Sequence, residues 1–252
     1  MSKQYSDSPE APDIESSTAD YATRFAGDSG KWFLKMQDRG TKKLINKLMG
    51  GQPFSVLDVG GGHGQNVQVL RQMGADITVV GSTEACSILL QDDIEKGHIK
   101  FVTGNLKQLP FADDEFDVVI SYRIMAHIDD CDLLAKELCR VASKLVLVDY
   151  SSTRSVNVIS DLLYVFKKSL EKNTRKFRLH SPAEMRQSFK AAGAYAFSSF
   201  SQYFFPMALH RALAKPGLSK LLEAVARAFG LTHFFGSPVI GAYLVNKDLK
   251  DE

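Results

Sequence analysis

Val56-Leu57-Asp58-Val59-Gly60-Gly61-Gly62-His63-Gly64-Gln65-Asn66 is the stretch that decides the fold. Apolar residues and an aspartate run into four glycines, and a helix-like segment follows. This is the pattern of a buried parallel strand ending in a tight turn, where backbone approaches a ligand closely. Glycine supplies the positive φ angles and the absence of a Cβ that such a turn needs. The ligand class is a nucleoside-like cofactor. A dinucleotide turn wants G-x-G-x-x-G, with the third glycine packing helix on strand. Here the spacing is Gly60-x-Gly62-x-Gly64, and the acid, Asp58, precedes the glycines. A purely structural glycine-rich turn is the alternative.

Working outward, the strand belongs to an alternating pattern. Residues 18–49 carry apolar positions at helical spacing, and Gly50-Gly51-Gln52-Pro53 ends that helix. Strands are expected at 54–59, 76–81, 99–103, 116–121 and 145–149, with helices at 65–73, 83–93 and 131–142 between them. Strands alternating with helices imply crossover connections and a parallel sheet. The later part reads as helices at 156–172 and 182–192, a strand at 195–205, a helix at 209–229 interrupted by Pro216-Gly217, and a last strand at 239–245. Residues 1–17 are polar and acidic and read as a flexible tail.

Composition bounds the function classes. The 252 residues are 44% hydrophobic and 24% charged, which is ordinary for a globular enzyme-sized domain. A net charge of +2, with no recognition motif, gives no reason to expect nucleic acid as a partner. Cys86, Cys131 and Cys139 form no CxxC pair, and the sparse odd count suggests a reducing compartment, so the expected location is cytoplasmic. The start of the sequence lacks the apolar core of a signal peptide, and no apolar run reaches a membrane span. The histidines show no metal-ligand spacing, so no metal is expected.

The motifs beyond the turn carry a resemblance. VLDVGGGHG, Asn105-Leu106, Leu109-Pro110-Phe111 and Phe116-Asp117-Val118-Val119 together resemble the class I S-adenosylmethionine (SAM) methyltransferases. The similarity runs from Val56 to Tyr150, and is greatest to the small-molecule branch that includes the ubiquinone and menaquinone C-methyltransferases. It implies an α/β, Rossmann-like, seven-stranded, mostly parallel sheet with helices on both faces. It also implies one methyltransferase domain over 18–252: lid helices at 18–50, a cofactor-binding core at 54–150, and substrate-side helices with the last two strands at 151–247. The implied cofactor is SAM, and the implied reaction is direct displacement of its methyl group by a small organic acceptor.

The same resemblance nominates site residues. Asp58, Gly60, Gly61, Gly62 and Gly64 would take the methionine end of the cofactor. Tyr21 and Trp32, in the lid segment with Arg24, would place their π-faces near the sulfonium, or only seal the lid helix to the core. Asn105 and Leu106 would meet the adenine, and Ser121 and Tyr122 would line the end of the fourth strand. The family usually places an acid at the second strand end to accept from both ribose hydroxyls. This chain has Ser82 and Thr83 there, with Glu84 one residue late. Either Glu84 swings back, or the hydroxyls hold the ribose, or the cofactor or chemistry differs. His127 is the candidate general base, since its ordinary pKa suits proton transfer near neutrality.

The substrate side is read from composition. Residues 162–166, 203–205, 229, 234 and 235 are apolar and aromatic, which suits an apolar or aromatic acceptor or simply a packed insertion. A basic run from Lys167 to Arg178 could draw an anionic substrate or a membrane surface. The alternatives to a methyltransferase are a non-catalytic SAM-binding module acting through a partner and an NAD-dependent oxidoreductase.

Overall fold

The computed structural model describes residues 11–155, 178–213 and 215–246. A seven-stranded sheet forms the centre, in the order β3-β2-β1-β4-β5-β7-β6. The strands are β1 (Phe54–Val59), β2 (Ala75–Gly81), β3 (Lys100–Thr103), β4 (Phe116–Ser121), β5 (Ala142–Tyr150), β6 (Ala194–Tyr203) and β7 (Ser237–Val245). The first five run parallel, and β7 lies antiparallel to both β5 and β6. Doubly wound sheets place ligands at the carboxyl ends of the strands where the order reverses. Here that point lies between β1 and β4, beside the glycine turn.

Alternation along the central strands sends side chains to two separate cores. On one face Leu57, Val59, Val119, Val146 and Val148 pack with Leu134, Leu138 and Cys139 of α5 (Cys131–Val141) and Met185 and Phe189 of α6 (Pro182–Ala191). On the other, Val56, Val118, Ile120, Leu145 and Leu147 pack with Leu44 and Ile45 of α2 (Gly27–Met49) and Val67 and Leu70 of α3 (Val67–Gln72). The remaining helices are α1 (Ala19–Thr23), α4 (Gln91–Glu95), α7 (Met207–Leu213), α8 (Pro216–Ala228) and α9 (Leu231–Phe235). The fold class is the expected one, and the insertion between the last two strands is helical.

Several boundaries differ from the sequence expectation. The first helical stretch breaks at Arg24–Ala26 into α1 and α2, and the 83–93 segment splits into a 3₁₀ turn (Glu84–Leu90) followed by α4. The expected helix at 156–172 lies outside the described residues. Residues 11–17, expected as part of a tail, form a run of turns in which Asp13, Ser16 and Ser17 are buried. Backbone and side-chain bonds within the run hold its shape, with Ser16 and Ser17 both donating to the Asp13 carbonyl.

Two motif segments outside the turn, Asp117 and Leu109–Phe111, make contacts that hold the sheet and α5 together. Asp117 accepts from the Ser55 amide at 2.9 Å, joining β4 to β1, and pairs with Lys144 of β5. The Leu109–Phe111 loop is bound to α5: Glu137 accepts from the Leu109 amide, and Arg140 donates to the carbonyls of Leu109 and Phe111. In the insertion, the buried Glu223 carboxylate accepts from the amides of Phe204 and Phe205 and from His210 Nε2 at 2.9–3.0 Å. Glu223→Ala would orphan all three donors in an aromatic surround of Trp32, Phe33 and Tyr203. It is expected to lower unfolding stability by roughly 3–5 kcal/mol in urea titrations, and a loss under about 1 kcal/mol would contradict the role.

Candidate active site

The glycine turn sits at the end of β1, with Gly60 and Gly64 at φ of 72° and 68°. Asp58 is fully buried beneath it. Its Oδ2 accepts from Asn66 Nδ2 at 3.0 Å, and its Oδ1 has no partner among the described residues. Burial pushes the Asp58 carboxyl up to about 6, against the opposing pull of Asn66 and Arg123. Asn66 Oδ1 in turn accepts from Gln37 Nε2 at 2.8 Å, and Gln37 Oε1 accepts from Arg123 Nη2 at 2.8 Å. A relay of two amides therefore joins the Asp58 carboxylate to the Arg123 guanidinium.

Buried polar atoms normally find partners. Nine among the described residues do not, and five of these belong to Asp13, Asp58, His63, Gln65 and Arg123, around the turn and the adjoining β4 end. His63 Nδ1 accepts from the Gln65 amide at 3.1 Å, which leaves Nε2 as the protonated nitrogen. Burial holds the His63 pKa well below the ordinary imidazole value, with the Arg123 charge adding to it, so the ring is neutral.

The space over the turn is taken by residues 11–17. A Cβ on Gly62 would stand 2.3 Å from Ser17 Oγ and 2.4 Å from the Cys86 carbonyl oxygen. Asp13 Oδ2 accepts from the Ser82 amide at 2.8 Å, at the end of β2. A carboxylate thus does lie at this strand end, but it comes from the segment before α1.

The other nominated residues divide. Tyr21 and His127 line one cavity of about 230 Å³, with Arg24, Phe25, Phe33, Gln37, Arg123, Asp149 and Arg211. Trp32 does not reach the turn; it packs edge-on to Tyr203 and His210 at 5.2 and 5.1 Å, because a bulky ring at this helix position meets β6 and α7. Tyr122 is fully buried on the α2 face of the sheet and bonds Thr41 at 2.8 Å, since strand alternation turns it away from the ligand face. Ser121 donates to the Val59 carbonyl, and Leu106 is part of the core. Glu84 accepts from Thr103 at 3.0 Å on the exposed sheet edge, while Thr83 leads into the 3₁₀ turn. Asn105 accepts from the Lys107 amide at 2.9 Å, which closes its own turn.

Sequence reading missed Asp13, Gln37, Asn66, Asp149 and Arg211. Gln37 and Thr41 stand on the buried stripe of α2 among Phe33, Leu44 and Ile45. A polar residue at helical spacing within an apolar stripe is the signal that could have flagged them. Asp149, at the end of β5, accepts from the Arg123 amide at 2.5 Å; this bond accompanies the Arg123 φ of 64°, rare for a side chain of this size. Burial raises the Asp149 pKa against the Arg123 charge.

Residues 57–145 match the methyltransferase domain family. The matched segment is similar to the class I SAM-dependent methyltransferase domain. An O-methyltransferase from Aspergillus sclerotiorum is 28% identical over 120 residues, covering 44% of this chain and 46% of the relative. A malonyl-[acyl-carrier protein] O-methyltransferase from Pseudescherichia vulneris is 29% identical over 107 residues, 42% of each chain. The methyltransferase similarity is thus confined to under half the length of these two relatives. The fold matches the magnesium protoporphyrin IX methyltransferase of Synechocystis PCC 6803 with bound SAH (S-adenosylhomocysteine), at a TM-score of 0.62 and 16% identity over 93% of this chain and 97% of that one. No helix among the described residues is long and apolar enough to cross a membrane.

Proposed function

We propose that the chain transfers a methyl group from SAM to a small organic acceptor, apolar or aromatic in body, seated in the cavity beside His127. The observation that carries the reading is the buried Asp58 carboxylate, with one oxygen unpartnered at a turn of bare glycines. That oxygen suits the ammonium of a zwitterionic methionine group, as the turn's backbone suits a close-lying chain. When bound, SAM supplies an activated methyl group on a sulfonium. The protein's share is placement and a dry pocket, from which much of the rate of a displacement can come.

His127 and Asp149 both line the cavity. His127 is the proposed base for acceptors whose atom must lose a proton. Saturable binding of SAM and SAH at roughly 1–100 µM is the expected calorimetric result; no heat at millimolar ligand rejects the reading. With a proton-bearing acceptor found by panel, His127→Ala should lower turnover about 10²-fold or more at unchanged SAH affinity. Turnover near wild type would remove His127 as a required base.

One observation favours a second reading, a non-catalytic SAM-binding module. The β2 end offers only Ser82 and Thr83 from its own strand, and the Asn105 side chain is already engaged. Binding without transfer across the acceptor panel would select it.

A further inference from the structure

Three guanidinium groups face the cavity that holds His127, and their partners are unequal. Arg24 is half exposed and ion-paired with Glu15 at 3.2 Å. Arg123 has its Nη2 on Gln37, its guanidinium 4.7 Å above the Phe25 ring, and its Nη1 buried without a partner among the described residues. Arg211 lies 5.5 Å over the Phe33 ring, and its one hydrogen bond among the described residues is a long one of 3.5 Å to the Arg24 carbonyl. Among the described residues, no carboxylate comes within ion-pair distance of Arg123 or Arg211. Among the described residues, the one acid lining the cavity is Asp149, which is committed to the Arg123 amide.

Arg123 shares the field of the buried Asp149 and Asp58, but neither carboxylate reaches its guanidinium, and partly buried cations without a paired carboxylate are costly, more so with a third cation nearby. Arg211 feels both effects: burial and the Arg24 charge lower its pKa. A guanidinium matches a planar carboxylate or a phosphate with two parallel donors. The rings of Tyr21, Phe25 and Phe33 provide apolar walls in the same cavity.

We propose that the acceptor carries a carboxylate or phosphate that Arg123 and Arg211 bind, with its apolar or aromatic body against Phe25, Phe33 and Tyr21. The inference rests on the methyltransferase reading of this site and narrows it to anionic acceptors. It also assigns the insertion a role in specificity, since Arg211 is carried by α7.

Benzoate, phenyl phosphate and benzamide share one ring and differ in charge and anion geometry. Each is titrated into the full-length protein, with and without saturating SAH, by calorimetry or ligand-observed NMR. At least one anion is expected to bind about tenfold or more tighter than neutral benzamide, the worth of one charge-assisted bond over a neutral contact. Which anion leads tells carboxylate from phosphate. Arg211→Gln should erase the preference and Arg211→Lys should keep part of it, each with its unfolding midpoint close to wild type. The proposal is overturned if benzamide matches both anions, if no anion saturates below about 50 mM, or if folded Arg211→Gln keeps the preference. Anion selectivity in a protein that binds no SAH would strike down the methyltransferase reading and leave the anion site standing.

Discussion

Asp58→Asn is expected to weaken SAH binding by about 10–100-fold while making the protein more stable at neutral pH. The Asn66 amide already donates to position 58. An asparagine there must turn its oxygen to Asn66, so its NH2 takes the unpartnered side, where a ligand ammonium needs an acceptor. Stability moves the other way. With a folded pKa of about 6 against an ordinary 3.8, the folded chain holds the Asp58 proton through a window where the unfolded chain has released it. Stability therefore falls as pH rises from about 4 to about 6, and the full penalty, about 3 kcal/mol, is present at pH 7. An amide does not ionise and escapes it. Urea titrations should show Asp58→Asn above wild type at pH 7, with the gap closing near pH 4. SAH affinity should fall below pH 6 in wild type and stay level in the variant. An equal stability gap at both pH values would refute the buried-acid account.

Removing residues 1–17 is expected to tighten SAH binding by roughly tenfold or more. Ser17 stands against Gly62, and Asp13 holds the Ser82 amide, so a ligand on the turn and this strap exclude one another. Apparent affinity is reduced by the fraction of molecules whose site is open. One charge-assisted bond of about 1.5–3 kcal/mol, with the burial around it, keeps that fraction near a tenth or lower. Calorimetry on the truncated and complete chains decides it. Weaker binding in both the truncation and Asp13→Asn would reverse the role, making Asp13 the acid that the β2 end lacks. The strap also changes what the glycines report. Valine at Gly62 would strike the Cys86 carbonyl oxygen whatever the ligand, so such a variant confounds folding with binding.

What the sequence showed clearly was local. The apolar run of β1, its glycines and the alternation of strands with helices depend on neighbours a few residues apart, and they led to the right architecture. The candidate site is local in sequence where it follows one strand end, as at Asp58. It is non-local where partners come from afar. Asp13 meets Ser82 across 69 positions, and Gln37 meets Asn66 across 29. Nothing near Trp32 announces Tyr203 as its neighbour. Tyr122 was misread for a different reason: it follows the β4 end, but the period-two alternation of side chains carries it to the far face.

The amide relay has one further consequence. Arg123 can only donate and the Asp58 carboxylate can only accept, so both amides between them are held in a single orientation. One end of this one-way chain lies in the proposed acceptor cavity and the other under the glycine turn proposed for the cofactor. Neither ligand is then indifferent to the other. Whatever factor an anion on Arg123 imposes on cofactor affinity, the cofactor imposes the same factor on the anion. That mutual factor runs through the direction in which two side-chain amides face.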